Sequence, residues 1–151
     1  MQGRAYTATL DAQATTQAFD LIEILAPSDG VVVVDKVSVS QETATASAAG
    51  AVQIHYSTST GSTGASITAT PVDQGDAAFG GTVTGATTSA STEAAIIYRE
   101  AWNVLAPWIW HPTPEERAVV TPGEGIVVRL DTYPASTMSV SAVVSFREIG
   151  G

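Results

Sequence analysis

The chain has 151 residues and no cysteine. That is length for one domain burying about 70% of its unfolded surface, and it excludes disulfide scaffolds, thiol catalysis and zinc ribbons. Fifteen acidic residues against six basic ones give a net charge of −9 with no basic run, a balance that repels nucleic-acid phosphates. Only 14% of the residues are charged, against about 25% in a typical domain, and mean hydropathy is +0.18. Together these point to surface that another chain covers.

The first residues, MQGRAYTATLDA, have neither the basic nor the apolar region of a signal peptide. The longest purely aliphatic run, Val31 to Val34, falls far short of the ~20 residues that span a bilayer, so a soluble protein is expected. Helical periodicity is almost absent and strand signals recur. Residues 4–10 read as a strand. Residues 19–26 and 31–40 carry apolar side chains on both faces over part of their length. Pro27-Ser28-Asp29-Gly30 between them predicts a hairpin. Residues 51–57 alternate Val52, Ile54 and Tyr56 with Gln53, His55 and Ser57, which predicts a half-buried strand with His55 on its polar face.

Two intervals, 57–70 and 80–93, are rich in Ser, Thr and Gly and poor in apolar anchors. They predict long flexible loops, arms that order against a neighbour, or one insertion between two strands. Strands follow at 94–101, 117–120 and 125–131, with Thr121-Pro122-Gly123-Glu124 as a turn before the last. Residues 137–147 place Met138, Val140, Ala142, Val144 and Phe146 opposite Ser139, Ser141, Ser145 and Arg147. About eight strands in one domain, 1–151, predict an all-β antiparallel sandwich or jelly roll.

No constellation for catalysis, cofactor binding or metal binding emerges. His55 and His111 lack an HExxH or HxH context, and no GxSxG or SxxK accompanies the many serines. Gly80, Gly81 and Gly85 make no phosphate-loop pattern. Asp73-Gln74-Gly75-Asp76 lacks the run and distal Glu of a calcium loop and reads as an Asx-capped turn. Glu115 and Glu116, as sequence neighbours, do not face each other across a cleft.

The stretch Tyr98 to Arg117, YREAWNVLAPWIWHPTPEER, holds all three tryptophans and three of the seven prolines. Proline keeps such a segment extended or turning. Trp108 and Trp110, two apart, share a face on a strand, and Trp102 joins them if the chain folds back at Pro107. The tryptophans suit a core end, a protein interface or a sugar-stacking platform. Pro112 to Arg117 reads as a stiff connector in which Thr113 or the carboxylates cap backbone donors or pair with Arg117 or Arg99.

The blocks YTATLDA, FDLIEILAPSDGVVVV, EAWNVLAPWIW, PTPEERAVVTPGEGIVVRL and SFREIGG resemble small structural proteins from the head-gene region of tailed bacteriophages. The resemblance implies a capsid decoration (cement) protein. Such a protein is β-rich, often trimeric, assembled in the host cytoplasm and seated on the outside of the major-capsid lattice. It implies no enzyme activity, no cofactor, and no nucleic-acid or membrane partner. The candidate interface residues are then Tyr98, Arg99, Trp102, Trp108, Trp110, Glu115, Glu116 and Arg117. A carbohydrate-binding or lectin-like module on the virion is the alternative.

Overall fold

The computed structural model describes residues 3–15, 17–43, 48–58, 64–87, 92–132 and 138–150. Among these residues twelve strands form: β1 Arg4–Thr15, β2 Phe19–Leu25, β3 Gly30–Gln41, β4 Ala49–Ser57, β5 Ala65–Ser66, β6 Thr70–Pro71, β7 Thr82–Thr87, β8 Glu93–Asn103, β9 Trp108–Trp110, β10 Val119–Val120, β11 Gly125–Thr132 and β12 Met138–Gly150. Two antiparallel sheets face each other. The first runs β10-β3-β12-β1-β6, with β9 also on β3, and the second runs β5-β7-β2-β11-β4-β8.

The order β1-β12-β3-β10 in one sheet and β2-β11-β4-β8 in the other is that of an eight-stranded jelly roll. The chain crosses between sheets at nearly every connection. β5, β6 and β7 come from one insertion between β4 and β8, and they extend both sheets at the far side from β8.

Alternation builds the core. β12 lies between β3 and β1, with Phe146 opposite Val34 on one side and Tyr6 on the other. Met138, Val140, Ala142, Val144 and Phe146 are all buried, as their period of two requires. Ile24, Ile126 and Tyr56, then Ile22, Val128 and Ile54, make successive cross-strand rows on the second sheet. Between the sheets the side chains leave a void of only about 10 Å³ among Ile22, Ile24, Val34, Val37, Ile54, Ile126, Val128 and Val144. The core is packed at this point, with no space there for a bound molecule.

Three expectations fail, each for a physical reason. β2 and β3 are not a hairpin. They belong to different sheets, and Pro27 to Asp29 carry the chain over the end of the sandwich. Both are interior strands, and β2 is apolar or buried on both faces. Residues 82–87, expected within a loop, form β7 on β2; backbone pairing holds this Thr-rich segment where side-chain pattern gave no signal. Of the other expected loop residues, 59–63 and 88–91 lie outside the described residues. Finally, the polar face of β4 is not solvated.

Gln53, His55 and Ser57 are all buried, His55 completely. They belong to a polar layer on the outer face of the second sheet, with Asp20, Glu23, Arg129 and Glu93. Arg129 Nε donates to Asp20 Oδ1 at 2.6 Å, and its guanidinium lies 3.6 Å from Glu93. The Gln53 amide donates to Glu93 and approaches His55 Nδ1 at 3.3 Å. Burial, then the neighbouring Arg129 charge, pushes the His55 pKa down, so the imidazole is held neutral.

At the far side, the insertion is locked by Tyr6 and Glu148. The Tyr6 hydroxyl lies 2.9 Å from the Ala77 carbonyl and 3.2 Å from Glu148 Oε2, which also meets Arg4. Phe79 packs on both Tyr6 and Phe146. Burial, then Glu148, raises the Tyr6 pKa.

Candidate functional site

The Tyr98–Arg117 segment makes up much of one side of the sandwich. β8 is the open edge strand of the second sheet, and β9 and β10 line the corresponding edge of the first. The link between them is a tight turn fixed by its own polar groups. Ala106 N–H bonds to Asn103 O, Leu105 N–H to Asn103 Oδ1, and Trp102 Nε1 donates to Ala106 O at 2.6 Å. Val104 N–H bonds to Ala48 O and anchors the turn to the start of β4. The chain thus folds back before Pro107, as a shared site for the three tryptophans requires.

All three tryptophans are core residues: Trp102, Trp108 and Trp110 are 3%, 5% and 8% exposed. Trp108 and Trp110 do share a face, but it points between the sheets. Neither forms a sugar-stacking platform. Tyr98 covers them from outside, with ring centroids 6.2 Å from Trp108 and 6.3 Å from Trp110. Glu100 Oε2 accepts from both Tyr98 OH and Trp108 Nε1, joining the two sheets at the edge. That hydrogen bond and the Glu100 charge raise the Tyr98 pKa.

The other candidates divide. Arg99 is exposed but pairs with Asp131 at 2.7 Å. Half-buried Arg117 meets Asp35 at 3.2 Å, and Arg147 grips the same carboxylate through two hydrogen bonds. Glu115 and Glu116 are exposed on a 3-10 turn, Pro114–Glu116. Thr113 donates to Glu116 Oε2, so the Thr113 hydroxyl serves the carboxylate and not a backbone donor.

Of the apolar residues that face solvent here, Tyr98 alone was among the expected site residues. Six large apolar side chains are exposed in the described structure, and five lie on this side: Ile96, Tyr98, Leu105, Ile109 and Val119. The sixth, Val72, sits at the opposite side, beyond β6. Ile109 could have been found from alternation, because burying Trp108 and Trp110 turns it outward. Beside it runs an open groove of about 430 Å³ lined by Ile97, Tyr98, Ile109, Trp110, His111, Pro112 and Glu116.

Charge is unbalanced in the same place. Five of the six cations in the chain are engaged in ion pairs within it. Glu100, Glu115 and Glu116 take part in none of those pairs, so this side offers carboxylates and apolar groups. No group of three or more His, Asp or Glu among the described residues is placed to hold a metal.

The fold and this surface define a small jelly-roll β-sandwich with one apolar, acidic side. No protein-family model and no curated protein matches the chain. Solved structures similar to it include a mutant VP2 protein of infectious bursal disease virus in derived T=1 particles, at 12% identity and a TM-score of 0.23, covering 98% of this chain and 40% of that one. The structure of the Gt strain of that virus gives 13%, 0.22, 98% and 41%. This chain spans about two fifths of their length. Likeness at such scores carries no argument about function.

Proposed function

We propose that this chain is a non-enzymatic structural protein of a virion, a decoration protein that binds the outside of a tailed-phage capsid lattice and stabilises it through the β8–β9–β10 side. The observation that carries this reading is the gathering of five of the six exposed large apolar side chains on that one side. Exposed apolar side chains concentrated on one side of a small domain point to a contact with another macromolecule. The packing between the sheets supports it, because a core filled by its own side chains leaves contact to the surface. The sequence blocks that resemble those of phage head proteins supply the setting, and viral capsid proteins are among the users of jelly rolls, an analogy of fold only.

Many copies, each making a modest contact across capsomer boundaries, sum their stabilisation by avidity. The test is sedimentation of the purified protein with heads. It should co-sediment with expanded, mature heads and, added back to stripped heads, raise their resistance to heat. Failure to bind particles in every maturation state overturns the proposal.

A further inference from the structure

We propose that β8 is a docking edge that receives an extended cationic segment of the partner as an added strand of the second sheet, with the groove beside Trp110 seating one of its side chains. This rests on the β8–β9–β10 side being the surface that meets the capsid, and it names how contact is made.

The argument begins with the four edges of the two sheets. Three end in fragments: β6 and β5 have two residues each, and β3 is fringed by β9 and β10, of three and two residues; past Thr7 the β1 edge is open among the described residues, but a bulge between Leu10 and Gln13 breaks it. Short terminal strands are a common protection, since an open edge offers unpaired N–H and C=O groups to any passing chain. The fourth edge lacks that protection. β8 has 11 residues and pairs only with β4 among the described residues.

Bulges opposite Ile54/His55 and Tyr56/Ser57 break the regularity of its first half. From Tyr98 to Asn103 the ladder with Ile54 to Ala49 runs without interruption. Six regular residues are the length of an ordinary strand. The groove lies directly beside this regular run, with Tyr98 common to both. Strand addition elsewhere works in this way: backbone bonds supply affinity, and an adjacent pocket selects a side chain.

Charge chooses the occupant. The arginines on this side, Arg99 and Arg117, are already committed to Asp131 and Asp35, which leaves Lys36, next to the Val37–Trp110 pair, as the cation here outside the described ion pairs. Glu100, Glu115 and Glu116 are not engaged by a cation in the described ion pairs and flank the groove and strand. An acidic segment, or a second copy of this acidic chain, meets repulsion there. A strand alternating apolar residues with Lys or Arg is complementary.

Hydrogen exchange on the protein, free and bound to mature heads, tests this. In free protein about half of the amides in 98–103 should exchange fast, since alternate N–H groups of an edge strand point outward, and they should slow at least tenfold on heads. Ile109→Lys should weaken head binding at least tenfold. Glu115→Gln with Glu116→Gln should weaken it and flatten its salt dependence. Val72→Lys, on the opposite side, should bind as the parent does. Binding without new protection at 98–103 overturns strand addition and leaves the capsid reading standing. Protection already present in free protein shows that the chain covers its own edge and overturns it equally, as does a concentration-dependent dimer protected at 98–103. If the parent protein binds no heads, both proposals fall together.

Discussion

Replacing Trp102 with alanine separates a core tryptophan from a binding tryptophan. The side chain is 3% exposed, and a buried indole removes on the order of 200 Å² from water. At ~25 cal/mol per Å² that is worth about 5 kcal/mol. The residual cavity and partial relaxation bring typical Trp→Ala losses to ~3–5 kcal/mol. The Nε1 hydrogen bond to Ala106 O disappears with the ring, which frees the turn linking β8 to β9. Urea unfolding followed by far-UV circular dichroism should show a lower midpoint at unchanged slope. The melting temperature should fall by roughly 6–20 °C, at about 2–4 °C per kcal/mol for a chain of this size. Trp102→Phe, which keeps an aromatic ring, should recover more than half of the loss. A destabilisation below ~1 kcal/mol, together with lost head binding, refutes the core assignment and restores the tryptophans as interface anchors.

Three other outcomes are expected. His55 has a folded pKa below its unfolded value, so below about pH 6.5 the unfolded chain takes up a proton that the folded chain refuses. Stability measured by urea midpoints should therefore fall between pH 7.5 and 5.5, by at most ~1.4 kcal/mol per pH unit, and His55→Gln should flatten that slope. Arg129→Met leaves buried Asp20 without its 2.6 Å partner and should cost ~3–5 kcal/mol, while Asp20→Asn combined with it should recover much of the loss in a double-mutant cycle. Gly81→Ala should prevent or strongly impair folding, because a Cβ there falls 2.1 Å from the Leu25 carbonyl oxygen and 2.6 Å from the Phe79 ring; soluble yield and a cooperative melt check it.

The jelly roll was legible where alternation is long and one-sided, as in β12 and β4. It was not legible where pairing partners decide the outcome. Thr82 to Thr87 has one large apolar residue, Val83, and becomes a strand only because β2 offers it a ladder. Pro27-Ser28-Asp29-Gly30 has hairpin chemistry, yet the two strands it joins are each paired along both edges by other strands, β2 by β7 and β11 and β3 by β12 and the short β9 and β10, in two different sheets. His55 looked solvated because a polar face usually is. Its companions Asp20 and Arg129 are distant in sequence and meet it only through the register of β2, β11 and β4. At the candidate site, of the three readings open for the tryptophans the core end holds: they face inward, and Ile96, Leu105, Ile109 and Val119 face out.

The place of β12 also governs how this chain can be made. β12 is the central strand of the first sheet, with β1 paired along one side and β3 along the other, so that Arg4 sits opposite Glu148. While a ribosome has delivered only the preceding residues, β1 and β3 have no common neighbour and their inward faces stay open. Long-range pairing of this kind closes slowly. Synthesis halted before Met138 therefore leaves no smaller stable version of the domain, only a chain for chaperones and proteases to clear. Every copy that folds carries both halves of that seam.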